Sequence, residues 1–423
     1  MSDFEKITLP NGLRVILAPL PAFRSVTAII LCGAGSRYET AQTNGVSHFL
    51  EHMFFKGTNR RPTSSDISHA LDEIGADYNA FTGKENTGYH IKAASQHLPL
   101  ICDMLSDMLW NSKFDESEIE KERGVIIEEI NLYEDTPIRR VAEIYEQVLW
   151  GDQPLGWDIG GRKEVIRTLT KRNFADYISA RYVPNNMVLA IAGDFRRGEA
   201  IKLVEKHFGA HKPAEVAGFL PVSEAQKKPQ LKVIYKKTDQ AHLVVGFRGL
   251  KLGHSDRYNA AILATILGGG MSSRLFVTVR EKRGLAYYVR ADHESYLDTG
   301  TLSAAAGVDL RRIDDALAVI LAEFVAIAKK KVEARELKKA KEYVKGRVIL
   351  AWEDSRTVAI GYGADELLER RIRSLDEYLK RIDEVRSEDV LRVAQFLVTN
   401  SNLNLAVIGP FKDSEKFEKI LKV

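Results

Sequence analysis

Cysteine is nearly missing from this chain of 423 residues, which has Cys32 and Cys102 and no other. Two lone cysteines make no disulfide framework and lack metal-type spacing, so both read as small core residues in a reducing cytoplasm. Long apolar runs are missing too. None approaches the ~20 residues that cross a bilayer, and the run Ala316 to Ala322 is closed by Asp315 and Glu323. The start Met1-Ser2-Asp3-Phe4-Glu5-Lys6 is polar and carries two acids. It has the pattern of neither a secretory signal nor a transit peptide, and the chain reads as soluble and cytoplasmic. No charge of one sign dominates: 61 basic side chains face 58 acidic ones, mixed along the chain, for a net +3. That balance gives no reason to expect nucleic acid or a membrane as partner. Gly268-Gly269-Gly270 is followed by no Gly-Lys-Ser/Thr, which leaves it a helix end and turn rather than a phosphate cradle.

What the chain does have is enough apolar content, 45%, alongside 28% charged residues, to build more than one core. It also repeats itself. Tyr182 to Phe195 resembles Val398 to Phe411, with Asn186, Gly193 and Phe195 matching Asn402, Gly409 and Phe411 at one common offset. The same offset sets Thr27-Ala28-Ile29 against Leu243-Val244-Val245. Each long match is a turn followed by an apolar run ending at glycine, the pattern of a buried strand. A proline-containing stretch of mixed polarity then divides the copies, giving domains at 1–213 and 229–423 with 214–228 as linker. Strands are expected over Ile7–Ala18, Ser25–Cys32, Tyr89–Ala94 and Val188–Gly193. Long amphipathic helices are expected over Leu98–Trp110, Glu116–Tyr133 and Val332–Ala351. The class is α+β, with helices on one face of a mixed, largely antiparallel sheet in each half. The run Lys329-Lys330-Lys331 and the pair Lys338-Lys339 read as solvated helix surface.

Val46, Phe49, Leu50, Met53 and Phe54 recur at the spacing of one apolar helix stripe, with Asn44 as the expected cap. At roughly 100° per residue, His48 and His52 fall about 40° apart on the opposite face, with Glu51 on their flank. Two imidazoles one turn apart can share a divalent ion, and a neighbouring carboxylate can take a proton from water activated by it, so Glu51 is the expected general base. A third protein ligand is needed. The helix over Glu116–Tyr133, with its flank, has seven glutamates: Glu116, Glu118, Glu120, Glu122, Glu128, Glu129 and Glu134. Helical phase brings Glu122 and Glu129 within about 20° of each other and turns Glu128 away.

Gly45-Val46-Ser47-His48-Phe49-Leu50-Glu51-His52-Met53-Phe54-Phe55-Lys56-Gly57-Thr58, followed by Glu122-Arg123-Gly124-Val125-Ile126-Ile127-Glu128-Glu129-Ile130, resembles the pitrilysin-type inverzincins. The likeness covers nearly the whole chain and is closest to half-length bacterial members similar to the mitochondrial processing peptidase β subunit. It implies a zinc metalloendopeptidase with His48, His52 and Glu129 on Zn2+ and Glu122 as a supporting acid. Asp77-Tyr78-Asn79-Ala80-Phe81-Thr82 and Thr87-Gly88-Tyr89-His90 look like a strand pair. In the family the first of these is an exposed edge, so the backbone at Asn79, Ala80 and Phe81 is expected to pair with an extended peptide. Arg280-Glu281-Lys282-Arg283-Gly284-Leu285-Ala286-Tyr287 resembles the family's Arg/Tyr element, in which Arg280 holds the peptide and Tyr287 donates to the developing oxyanion. Tyr288 and Arg283 are structural neighbours.

Full-length members of the family close a clamshell from four such domains, and this chain supplies two, half of a clamshell. The resemblance therefore implies a homodimer, each zinc site facing Arg280 and Tyr287 of the other chain, with a heteromer left open. The runner-up is a non-catalytic assembly or scaffold subunit of the same fold, in which the motif would be eroded.

Overall fold

The computed structural model describes residues 3–423; Met1 and Ser2, which open the polar start, lie outside the described residues. The first half carries strands β1 (Glu5–Thr8), β2 (Arg14–Pro19), β3 (Ser25–Cys32), β4 (Asp77–Thr82), β5 (Thr87–Ala94) and β6 (Met187–Gly193). Its helices are α1 (Val46–Met53), α2 (Ser64–Asp72), α3 (Leu98–Asn111), α4 (Glu116–Glu134), α5 (Pro137–Trp150), α6 (Lys163–Ile166), α7 (Lys171–Arg181) and α8 (Arg197–Phe208). The second half carries β7 (Gln230–Tyr235), β8 (Gln240–Arg248), β9 (Ala286–Ser295), β10 (Gly300–Asp309) and β11 (Leu403–Gly409). With them come α9 (Arg257–Gly268), α10 (Ile313–Lys329), α11 (Ala334–Ala351), α12 (Ser355–Ala364), α13 (Leu375–Glu384), α14 (Ser387–Leu397) and α15 (Glu415–Ile420). Residues 214–228 form neither helix nor strand.

Asn186 and Asn402 stand 216 positions apart, and that offset runs through the whole fold. It carries β6 onto β11 and α7 onto α14 residue for residue, and β3, α3, α4 and α5 onto segments overlapping β8, α10, α11 and α12. The two compact units are nevertheless not the two halves. One comprises Met1–Ile130, Trp157–Leu220 and Ile349–Ser374, and the other Asn131–Gly156, Pro221–Val348 and Leu375–Val423. Helix α12 therefore belongs to the first unit and α5 to the second.

In the first unit the strand order is β1-β2-β6-β3-β5-β4, with β2 and β6 parallel and every other pair antiparallel. The single strand expected over Ile7–Ala18 is broken by a turn at Pro10-Asn11-Gly12, where Gly12 takes φ +85° and the chain folds back to pair β1 with β2. The inner strands β3 and β6 are buried almost throughout, which is why they read as continuous apolar runs. Val26, Ala28 and Ile30 of β3 face the main core with α1, α3 and α7. Ile29 and Leu31 face α12, where Val358, Ala359 and Tyr362 cover them. The helical layer expected on one face is there; the second face is covered as well, by one helix contributed from the other half of the sequence. Thr27 and Ser355 share a buried hydroxyl hydrogen bond of 2.8 Å across that contact.

The second unit has the order β7-β11-β8-β10-β9, with β7 and β11 parallel. Its main core is built on β8, β10 and β11 with α9, α10 and α14. Its second face carries α5, through Val141, Ile144, Tyr145 and Leu149 against Val244, Ala406 and Ile408. The register of β9 against β10 passes from Tyr288↔Gly307 to Ala286↔Val308, which leaves Tyr287 as the extra residue of a bulge. No helix among the described residues is long and apolar enough to cross a membrane.

Candidate metal centre

Helix α1 buries Val46, Phe49, Leu50 and Met53 completely, and its opposite face carries His48, Glu51 and His52. The expected cap, Asn44, is one residue early. Gly45 is the N-cap, in the left-handed region at φ +96° and ψ 0°, and it makes no side-chain cap bond. The orphan amides are instead taken by Glu39, a buried carboxylate that accepts from Gly45 N at 2.7 Å, Ser47 N at 2.9 Å and Asn44 Nδ2 at 3.0 Å. Burial pushes the Glu39 carboxyl up, against the pull of the Gly45 and Ser47 amides and the Asn44 side chain. Ser47 donates to the Tyr177 hydroxyl at 2.7 Å, and Tyr177 in turn donates to Gly35 O at 3.1 Å.

Helix α4 presents Glu122 and Glu129 toward α1, while Glu116, Glu120, Glu128 and Glu134 are exposed. His48 Nε2 and His52 Nε2 lie 3.3 Å apart, and Glu129 Oε2 is 3.7 Å from the first and 3.5 Å from the second. Zinc holds imidazole and carboxylate donors at ~2.0–2.1 Å in a tetrahedron, whose edges are then about 3.3–3.4 Å. The three atoms thus already form one near-tetrahedral face, and these residues fit a divalent ion.

His52 donates from Nδ1 to Glu122 Oε1 at 2.8 Å, which turns its Nε2 lone pair toward the other two donors. Lys56 Nζ binds the other oxygen of Glu122 at 2.6 Å. Burial alone would raise the Glu122 carboxyl, but the bonds from His52 and Lys56 outweigh it and hold the group below the usual range. Burial, followed by the nearby charge of His52, lowers His48, so its imidazole is neutral and available as a ligand. The His48 Nδ1 atom is buried and finds no hydrogen-bond partner among the described residues.

Glu51 stands on the same helix face, its carboxyl raised first by burial. The Thr82 hydroxyl donates to its Oε2 at 2.6 Å. Thr82 ends β4, which is the free edge of its sheet and holds Asn79, Ala80 and Phe81 in antiparallel register with His90, Tyr89 and Gly88. Asn79 turns its side-chain oxygen onto the Ala80 amide at 2.9 Å.

Arg280 and Tyr287 belong to the other unit. Arg280 lies in a wide π-helical turn, Phe276–Glu281, and its guanidinium sits 4.9 Å from the Phe276 ring centre and 5.8 Å from that of Tyr287. Tyr287 is 73% exposed on the bulge of β9, itself a sheet edge. Tyr288 points away from it, with its hydroxyl 3.2 Å from His242 Nδ1.

Sequence reasoning did not single out Glu39, Lys56 and Thr82 as supports of this site. No spacing rule links Glu39 or Thr82 to α1, because each reaches it through a loop or a sheet. Lys56 could have been found, since it lies four residues beyond His52, just past the helix end.

The profile of the insulinase family (peptidase family M16) matches residues 14–161, and that of the peptidase M16 inactive domain matches residues 168–344. Among similar sequences, the uncharacterized zinc protease YmxG of Bacillus subtilis (strain 168) is 37% identical over 96% of this chain and 98% of its own length. The uncharacterized zinc protease SCO5738 of Streptomyces coelicolor is 36% identical over 97% of this chain and 90% of its own. Among solved structures, a protease from Helicobacter pylori superposes with a TM-score of 0.90 at 23% identity, covering 96% of this chain and 99% of that one. A chain of Complex III2 from Candida albicans does so with a TM-score of 0.86 at 19% identity, covering 98% and 99%. By its profiles and by these near full-length sequence relatives, the chain belongs to peptidase family M16.

Proposed function

We propose that this protein is a zinc metalloendopeptidase that hydrolyses peptides or unfolded segments. The observation that carries the reading is the triangle of His48 Nε2, His52 Nε2 and Glu129 Oε2, 3.3 to 3.7 Å on its sides, with a second carboxylate on the same helix face. These three residues would hold the ion, which when bound supplies Lewis acidity and brings the ionisation of water toward neutral pH. Glu51 takes a proton from the attacking water through the carboxylate oxygen that Thr82 leaves free. As the C–N bond breaks, Glu51 returns that proton to the departing amine. Glu122 keeps the His52 ring in the ligating tautomer.

The backbone at Asn79, Ala80 and Phe81 on the free edge of β4 receives the substrate as an added strand, which favours extended chains over folded ones. Arg280 holds the peptide, and the exposed Tyr287 hydroxyl donates to the oxyanion. These two act within a cytoplasmic homodimer whose closed chamber joins each zinc site to the Arg/Tyr pair of the other chain. Pairing with an unlike subunit, as the catalytic member of a processing peptidase, is the heteromeric variant of this reading.

The test is Glu51→Gln. With zinc per chain unchanged by elemental analysis, kcat on a peptide-library substrate should fall about 10²–10⁴-fold. Full activity in that variant would remove Glu51 as the base. A chain of Complex III2 shares the fold, and the second reading is a non-catalytic assembly subunit built on it. A zinc-loaded wild-type protein that cleaved nothing in the library would support it.

A further inference from the structure

We propose that Thr82 is a positioning residue for the general base: its hydroxyl holds the Glu51 carboxylate in one orientation and ties the base to the end of the edge strand β4. The inference rests on the reading of Glu51 as base. Thr82 is the only hydrogen-bond partner of the Glu51 side chain among the described residues, at 2.6 Å to Oε2. That is the length of a charge-assisted O–H to carboxylate bond, and the one proton of the hydroxyl is committed to it. With Oε2 so engaged, the carboxylate plane is set and the other oxygen is left to face water. Without this bond the half-buried Glu51 side chain has no hydrogen-bond partner to fix its rotamer.

The donor is as firmly placed as the acceptor. Thr82 pairs with Thr87 at the closed end of the β4–β5 hairpin, and Gly83 N donates to Asn86 O at 2.8 Å within the turn. That turn is docked on the segment leading to Glu39. Arg37 N donates to Lys84 O at 2.9 Å, the Arg37 side chain pairs with Glu85, and Gly35 packs so closely that a Cβ there would stand 2.5 Å from Gly83 O. The same segment, through Glu39, holds the start of α1. Base and hydroxyl are thus fixed to one short stretch of chain, and whatever seats on β4 acts on the strand that ends in Thr82.

The experiment compares zinc-loaded wild type with Thr82→Val, which keeps the shape and loses the donor, and Thr82→Ser, which keeps the donor. Thr82→Val should lower kcat about 10- to 100-fold with KM held within about twofold, and Thr82→Ser should restore most of the rate. Zinc per chain should be unchanged in both. Crystal structures of the zinc-loaded proteins should show one Glu51 rotamer in wild type and in Thr82→Ser, and more than one in Thr82→Val. An undiminished kcat in Thr82→Val, a Thr82→Ser variant as slow as it, or a single unchanged Glu51 rotamer would each overturn the proposal. If wild type itself cleaves no peptide, the catalytic reading fails, and the rotamer comparison still decides whether Thr82 holds Glu51.

Discussion

Helices α1 and α9 occupy equivalent places in two copies of one architecture, and their polar faces could hardly differ more. An offset of 216 sets Ala264 where the first copy has His48, Leu267 where it has Glu51, and Gly268 where it has His52. Ala264 and Leu267 are buried, and Gly268 packs so tightly on β9 that a Cβ would stand 2.1 Å from Ala291 N. On the partner helix, Glu122 and Glu129 are answered by Lys338 and Lys345. Lys345 spends its charge on Glu342 at 2.8 Å and Asp383 at 2.9 Å. The second copy has closed its helix onto the sheet and filled the space with apolar contact. The first keeps one helix face polar and sets a carboxylate helix beside it. The fold tolerates both, so the capacity to hold an ion lies in side chains, His48, His52 and Glu129, and not in the backbone that carries them.

The sharpest way to break that contrast is to move a residue of the second copy into the first. Glu129→Lys places an ammonium where a carboxylate completes the triangle with His48 and His52, and lysine offers no lone pair at neutral pH. Bound zinc should fall from one ion per chain to none by elemental analysis, and peptidase activity should fall with it. Glu128→Lys, on the exposed side of the same helix, should leave both unchanged. If the two variants behaved alike, the helical phase that distinguishes them would have no bearing on the site.

Under the proposed function the second copy has its own part, because Arg280 and Tyr287 lie in it. Tyr287→Phe removes one hydroxyl from an exposed bulge and no metal ligand, so zinc content should stay constant while kcat drops about 10²–10³-fold, the usual cost of one oxyanion donor. Mixing sharpens the result. Glu51→Gln and Tyr287→Phe are each slow alone, but a mixed dimer would contain one site with both Glu51 and Tyr287 intact if the pair acts on the other chain. Random exchange of subunits should then recover about a quarter of wild-type activity. Recovery of nothing would put Arg280 and Tyr287 on their own chain's substrate or on none.

Much of this contrast is legible in the sequence because it rests on helical period. The stripe of Val46, Phe49, Leu50 and Met53 marks a helix with one wet face. The same arithmetic pairs Glu122 with Glu129 and excludes Glu128. The inner strands are legible as apolar runs. What periodicity cannot carry is contact across turns. The break at Pro10-Asn11-Gly12 is hidden inside an otherwise strand-like stretch, and the bulge that leaves Tyr287 unpaired depends on β10. The assignment of α5 and α12 to opposite units depends on which sheet face lies bare, which no local pattern records. Thr82 and Glu39 reach α1 through space, so neither has a spacing by which to be recognised.

Glu39 offers the smallest effect and the cleanest one. Helix α9 has Asp256 at its N-cap, but that side chain bonds Asn259 at 2.7 Å and Arg392 at 2.6 Å rather than backbone amides. Asp256→Asn therefore loosens a surface ion pair and should cost less than about 1 kcal/mol. Glu39→Gln turns an amide NH2 toward donors that both carboxylate oxygens now accept, and a buried orphan donor costs about 1–3 kcal/mol. Denaturant melts of the two variants should separate them in that order. The pH dependence has a definite sign. Burial raises Glu39, so the folded chain holds its proton more tightly than the unfolded one. The stability this contributes is present below the ordinary carboxylate range and is lost as pH rises through the folded pKa. Glutamine does not titrate, so the deficit of Glu39→Gln should be widest in acid and narrow toward neutral pH. A deficit that instead grew with pH would mean that the ionised carboxylate, not the neutral one, is the form the start of α1 prefers.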